Sequence, residues 1–179
     1  MFIDSRTLPE KHVVETDICI IGAGAAGITM SKEYANSPFR VCVLESGGLE
    51  ADDDTQELYS GENIGMPYFP LVAPRLRYFG GTTNHWAGYC RPFSKEDFEA
   101  REWIPRSGWP ITLEDLQPYY KRASEVLKLN TSGWDHDYWE KDEKFSSLKF
   151  LDNQVQTNLT LKTLPPTIRL GPSYQNEIK

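Results

Sequence analysis

Asp17-Ile18-Cys19-Ile20-Ile21-Gly22-Ala23-Gly24-Ala25-Ala26-Gly27 joins a short apolar run to a glycine-rich turn. Its apolar half lacks polar alternation and stops at a glycine, which predicts a strand buried on both faces, as in a parallel sheet. Three glycines in GxGxxG spacing follow directly. From Ala25 to about Asn36 the sequence suits a helix, and Asn36-Ser37-Pro38 supplies a stop signal. A second apolar run, Arg40-Val41-Cys42-Val43-Leu44, ends at Glu45, eighteen residues past Gly27. Strand, glycine turn, helix, strand and acid in this order predict an α/β, Rossmann-like dinucleotide-binding unit.

Each residue type in that unit has a physical task. Gly22 permits a tight turn, Gly24 lets the backbone approach a pyrophosphate, and Gly27 lets helix and sheet pack closely. Ala25 and Ala26 open the helix, whose unpaired N–H groups suit the pyrophosphate. Glu45 suits the ribose hydroxyls of an adenosine moiety and disfavours a 2′-phosphate. FAD and NAD share this ADP half, so the pattern alone fits both.

Polar residues up to about Lys11 read as a lead-in. Glu50-Ala51-Asp52-Asp53-Asp54 reads as an exposed acidic loop, and its spacing matches no oxygen-ligand pattern for a metal. The Gly-, Pro- and aromatic-rich run from Gly61 to Pro74 reads as extended loop. A second informative segment runs from Arg75 through Arg77-Tyr78-Phe79-Gly80-Gly81-Thr82-Thr83-Asn84-His85-Trp86-Ala87-Gly88. Adjacent glycines and threonines gather backbone N–H groups and hydroxyls, which suits a phosphate or a flavin edge. Arg77 adds a charge-assisted donor. Further on, Ser94 to Arg101 suits a short helix with Ser94 as cap and Asp97 three residues on. Thr112 and Asp115 repeat that pattern. Pro118 suits the first turn of a helix through Lys128 that buries Tyr119, Ala123, Val126 and Leu127. Trp103 and Trp109 read as packing anchors.

The chain has 179 residues, a net charge of −7 and 25% charged residues. Nothing supplies the basic stripe a nucleic-acid partner requires. Cys19, Cys42 and Cys90 match neither a disulfide framework nor a zinc spacing, and Cys19 and Cys42 lie in apolar runs. No run reaches the length of a spanning helix, and no signal-like stretch precedes the first strand, so a cytoplasmic location is expected. The sequons at Asn130 and Asn158 matter only for a secreted protein.

The GAGAAG fingerprint, Glu45-Ser46-Gly47, the GGTTNHWAG segment and SGWPITLEDLQPYY together resemble the glucose–methanol–choline flavoprotein oxidoreductases, closest to the sugar-dehydrogenase and pyranose-oxidase-like branches. The resemblance covers most of residues 16–128. It implies FAD as cofactor, with Ser46 following Glu45 at the site and Arg77, Gly80, Gly81, Thr82 and Asn84 to Ala87 in the segment that approaches the flavin. In pyranose oxidases a histidine placed like His85 is bonded to the flavin 8-methyl carbon. Thr82-Thr83-Asn84 departs from the usual Ser-Thr run before that histidine, and FAD held with or without the bond are both left open. The implied reaction is oxidation of a CH–OH group of a sugar, polyol or alcohol by hydride transfer to flavin N5, with the electron acceptor unspecified. The family's base is a histidine near the end of a much longer chain, and none of His12, His85 or His136 matches its context. The expectation is therefore an incomplete flavin fold, inactive alone, in which the buried-type strands Ile18–Ile21 and Val41–Leu44 are poorly covered. Residues 12–128 belong to the flavin-binding domain, and 129–179 to a connecting segment and the start of a substrate-binding domain. Two other readings stand beside it: a non-catalytic nucleotide-binding or assembly subunit, and an NAD-dependent dehydrogenase, against which the His85 segment argues.

Overall fold

The computed structural model describes residues 1–129, 141 and 159–178. The chain divides into two compact units, Met1–Trp86 with Ile168–Lys179, and Ala87–Thr167.

The first unit holds the decisive stretch. Strand β1 (Ile18–Ile21) is followed by helix α1 (Ala25–Tyr34) and strand β2 (Val41–Leu44). The strands pair in parallel, Ile18 opposite Val41 through Ile21 opposite Leu44. The start of the pair is clipped by Asp17, whose carboxylate accepts from the Arg40 backbone N–H at 2.8 Å and from its guanidinium at 3.1 Å. At the other end the Gly22 N–H donates to the Leu44 carbonyl at 2.7 Å. Helix α1 buries Gly27, Ile28 and Ser31. The Ser31 hydroxyl donates to the Gly27 carbonyl, which removes the cost of burying it. The result is a small α/β fold, a parallel two-stranded sheet flanked by helices, in the order a dinucleotide-binding unit begins with.

The two-sided burial expected of the strands is not found. Ile20 is buried, while Ile21 is 85% and Leu44 53% exposed. Alternate residues of a strand face opposite sides, and α1 covers only the side on which Ile20 lies. A parallel sheet needs a layer on each face to hide such apolar runs.

Two short helices complete the unit. The acidic run expected as loop begins α2 (Asp53–Glu57), because Asp52 caps it, accepting from the Thr55 N–H at 3.2 Å, and acids favour a helix N-terminus. Helix α3 (Leu170–Tyr174) buries Leu170 and Tyr174 against α1 and the 3-10 turn Gly81–Asn84. Lys32 of α1 pairs with Glu177 and lies 3.6 Å above the Tyr174 ring.

In the second unit, strands β3 (Tyr89–Cys90) and β4 (Leu161–Lys162) pair antiparallel. Helix α4 (Lys95–Phe98) starts in the expected capping box, with the Asp97 carboxylate accepting from the Ser94 N–H at 2.8 Å. Thr112 and Asp115 form the second box, but the helix it starts, α5 (Leu113–Val126), runs without interruption through Pro118. Its inward side therefore starts earlier, at Leu113, and carries Leu116, Tyr120, Ala123 and Ser124 at three- and four-residue steps, leaving Tyr119 57% exposed. The Tyr120 hydroxyl accepts from the Phe93 N–H at 3.1 Å. Trp103 and Trp109 are 79% and 62% exposed, so among the described residues they anchor no packing. The aromatic and acidic run 132–144 and both sequon asparagines lie outside the described residues, except Lys141. No helix among the described residues is long and apolar enough to cross a membrane.

Candidate functional site: a cleft at the glycine turn

The first unit contains a cleft of about 340 Å³ at the carboxyl ends of β1 and β2, where an α/β sheet binds its ligands. One wall is the turn between β1 and α1, with Gly22, Gly24 and Ala25. Gly22 has φ +93°, a conformation that other residues rarely adopt. A Cβ on Gly24 would meet no protein atom within 4 Å, so the backbone stands open there. Gly27 does the opposite: a Cβ on it would lie 1.9 Å from the Gly22 carbonyl oxygen. Two glycines thus front the cleft and the third lets the helix close on the turn.

Glu45 and Ser46 follow β2 on the next wall. The Glu45 carboxylate accepts from the Ala23 N–H at 2.7 Å on Oε2, and from the Gly47 N–H at 2.9 Å and the Ser46 hydroxyl at 3.4 Å on Oε1. Oε2 keeps a lone pair for a further donor. Opposite, Gly80 and Gly81 take positive φ angles of 97° and 55°. The Gly80 N–H donates to the Ala23 carbonyl at 2.8 Å, and a Cβ on Gly81 would lie 3.2 Å from the Gly24 Cα. The two glycine segments, far apart in sequence, therefore abut. Thr82 and Thr83 complete that wall; Thr82 Oγ1 accepts from the Leu76 N–H at 3.2 Å, and Thr83 Oγ1 donates to the Gly80 carbonyl at 2.6 Å.

Arg77 lines the cleft with its guanidinium 4.2 Å from the Tyr59 ring and Nη1 donating to Ser46 Oγ at 3.1 Å. Of the residues expected from sequence, Gly22, Gly24, Ala25, Glu45, Ser46, Arg77, Gly81 and Thr82 line this one cleft. The others take different places. Ala26 is exposed in the first turn of α1, and Gly80 is buried at the base of its turn. Asn84 is buried behind that turn, donating through Nδ2 to the Phe79 carbonyl at 2.7 Å, while its Oδ1 has no partner among the described residues. His85 is exposed, its ring edge-on to Tyr78 at 6.3 Å. Trp86 donates from Nε1 to the Ile168 carbonyl at 2.7 Å, and Ala87 lies in the second unit. Thr83 lines the cleft with the glycine–threonine segment read from sequence, whereas Tyr59 and Leu76 line it and are not indicated as site residues by the sequence. No spacing rule points to Tyr59, since its segment reaches the cleft through the fold.

The second unit has a wider depression, about 440 Å³, where Arg101, Arg106 and Trp109 meet Asp97 and Glu99. Opposite charges there are balanced, and Arg101 is already engaged by the Glu96 carbonyl at 2.7 Å.

No protein-family model matches the chain. A 2-methyl-1,2-propanediol dehydrogenase of Mycolicibacterium austroafricanum is 24% identical over 145 residues, covering 69% of this chain and 26% of that protein. A 6'''-hydroxyparomomycin C oxidase of Streptomyces lividus is 29% identical over 136 residues, covering 66% of this chain and 24% of that protein. The chain spans about a quarter of the length of these curated relatives. The matches give it a distant relationship to oxidoreductases, one a dehydrogenase and the other an oxidase.

Proposed function

We propose that this chain carries the ADP-binding part of an FAD-dependent oxidoreductase acting on the CH–OH group of an alcohol, polyol or sugar. The observation that carries the reading is the convergence of the glycine turn, Glu45 and the Gly80–Gly81 turn on one cleft. The residues fit the group: Gly24 leaves open backbone where a pyrophosphate would approach, and Glu45 keeps a lone pair on Oε2 for a ribose hydroxyl. The names of the two relatives, a diol dehydrogenase and an oxidase of a hydroxylated compound, favour an alcohol-oxidising enzyme over a non-catalytic nucleotide-binding subunit.

When bound, the flavin supplies a hydride acceptor for the substrate carbon. The chain's own residues bind and orient. The N–H groups opening α1 face the pyrophosphate, where the helix dipole favours negative charge. Glu45 accepts from a ribose hydroxyl, and its charge repels a 2′-phosphate. The Gly80–Gly81 turn, with no side chains, allows a planar ring to come close, and exposed His85 is free to bond it. The proton acceptor of the reaction is assigned to no residue of this chain.

The test is an absorption spectrum of the purified chain, repeated on pellet and supernatant after acid precipitation. Flavin in the pellet, lost in His85→Ala, is the outcome expected for a covalent link. Flavin in the supernatant supports the same site without the bond. A colourless protein that takes up no added FAD refutes the flavin reading for this chain.

A further inference from the structure

The cation that fronts the cleft has less to do inside the protein than its position suggests. Glu45, the carboxylate of the same cleft, accepts from two backbone N–H groups and from the Ser46 hydroxyl, and Arg77 makes no ion pair among the described residues. Of its donors, Nη1 serves Ser46 Oγ, while Nε is shielded from solvent and has no acceptor among the described residues. A guanidinium offers five donors in a planar fork that matches phosphate oxygens. Here most of that fork is unspent, and its charge adds to the positive end of α1 across the same cleft.

The orientation of the fork is set by one segment. The Arg77 backbone N–H donates to Gln56 Oε1 at 3.0 Å, and Gln56 Nε2 donates to the Val72 and Arg75 carbonyls at 2.7 and 2.6 Å. Three residues on, Tyr59 lies under the guanidinium at 4.2 Å. Gln56 thus fixes the backbone of Arg77, and Tyr59 fixes the plane of its side chain.

We propose that Arg77 is an anion clamp for a phosphate of the bound nucleotide and that Tyr59 is the positioning residue that holds it ready. The proposal rests on the nucleotide-binding reading above and deepens it. A flexible cation would surrender side-chain freedom on binding; a stacked one has already surrendered it. The phosphate belongs either to the pyrophosphate common to ADP and FAD or to a 2′-phosphate, which Glu45 opposes.

Equilibrium dialysis of the purified chain with ADP, adenosine and adenosine 2′,5′-diphosphate tests this. The wild type is expected to prefer ADP to adenosine by roughly tenfold or more, with a preference that weakens as salt rises. Tyr59→Leu and Arg77→Met should each remove most of that preference and its salt dependence while adenosine affinity stays within about twofold. Tyr59→Phe, which keeps the ring face, should retain it. The double variant should lose no more than either single one, because Tyr59 acts through Arg77. Arg77→Lys keeps the charge but not the stacked fork; its loss of preference supports the clamp if Tyr59→Leu fails to fold. Unchanged preference in the Arg77 variants overturns the clamp, and unchanged preference in Tyr59→Leu overturns the positioning role. A wild type that prefers the 2′,5′-diphosphate to ADP moves the clamped phosphate to the 2′ position. A wild type that binds no nucleotide defeats the nucleotide reading itself, and the clamp with it.

Discussion

Gly24 and Gly27 stand three residues apart and lack side chains for different reasons, which separates two effects that one motif combines. In front of Gly24 there is open cleft, while behind Gly27 the Gly22 carbonyl would lie 1.9 Å from an added Cβ. Gly24→Val should therefore abolish uptake of ADP or FAD with little loss of fold. Gly27→Ala should destabilise the chain by about 1–3 kcal/mol, since the helix must move off the turn. Urea denaturation and nucleotide binding on both variants check the pair; stoichiometric flavin retained in Gly24→Val contradicts the first expectation. The spacing of the glycines was legible because local backbone geometry demands it. The Tyr59–Arg77 stack was not, because it joins residues through no periodic relation.

The helices of the second unit show how a cap carries both stability and a pH dependence. Asp115 accepts from the Thr112 N–H at 2.8 Å and hydroxyl at 3.0 Å, and these bonds hold its carboxyl below the ordinary aspartate range. The Asp97 carboxyl is lowered in the same way by Ser94. A carboxyl lowered in the folded state stabilises above its unfolded pKa, and that contribution is lost as pH falls through the lowered value. Asp115→Asn should thus cost stability at neutral pH and progressively less below about pH 4. Paired urea titrations across that range measure it; a difference constant with pH refutes it. Thr112→Ala should cost about 1 kcal/mol at neutral pH. Both boxes were readable as cap and acid three residues apart. The phase of α5 was not, because its start at Leu113 rather than at Pro118 decides which tyrosine turns inward.

At the scale of the whole molecule, the sheet is covered on one side. Cys19 sits directly opposite Cys42 in the parallel register and is exposed, whereas Cys90 is buried and its thiol is pushed up by that burial. A thiol reagent should modify Cys19 first and Cys42 more slowly, and reach Cys90 only after denaturant is added. Mass mapping of the labelled peptides checks the order. Protection of Cys19 in the native chain would show that the outer face of β1 and β2 is covered in solution.

By itself the sequence determined the strand–turn–helix–strand order, the three glycine positions, the acid after β2 and both capping boxes. These follow from interactions within a few residues: allowed φ and ψ, orphan N–H groups at helix ends, and runs of apolar side chains. That the two glycine segments touch, that Tyr59 joins the cleft and that Asn84 lies behind its turn were decided by the tertiary fold alone. It also decided which strand residues, Ile21 and Leu44, take the exposure expected of an incomplete sheet, and that Ile168–Lys179 groups with Met1–Trp86. Each of those depends on which distant surfaces meet, and burial belongs to the layers that cover an element rather than to its own residues.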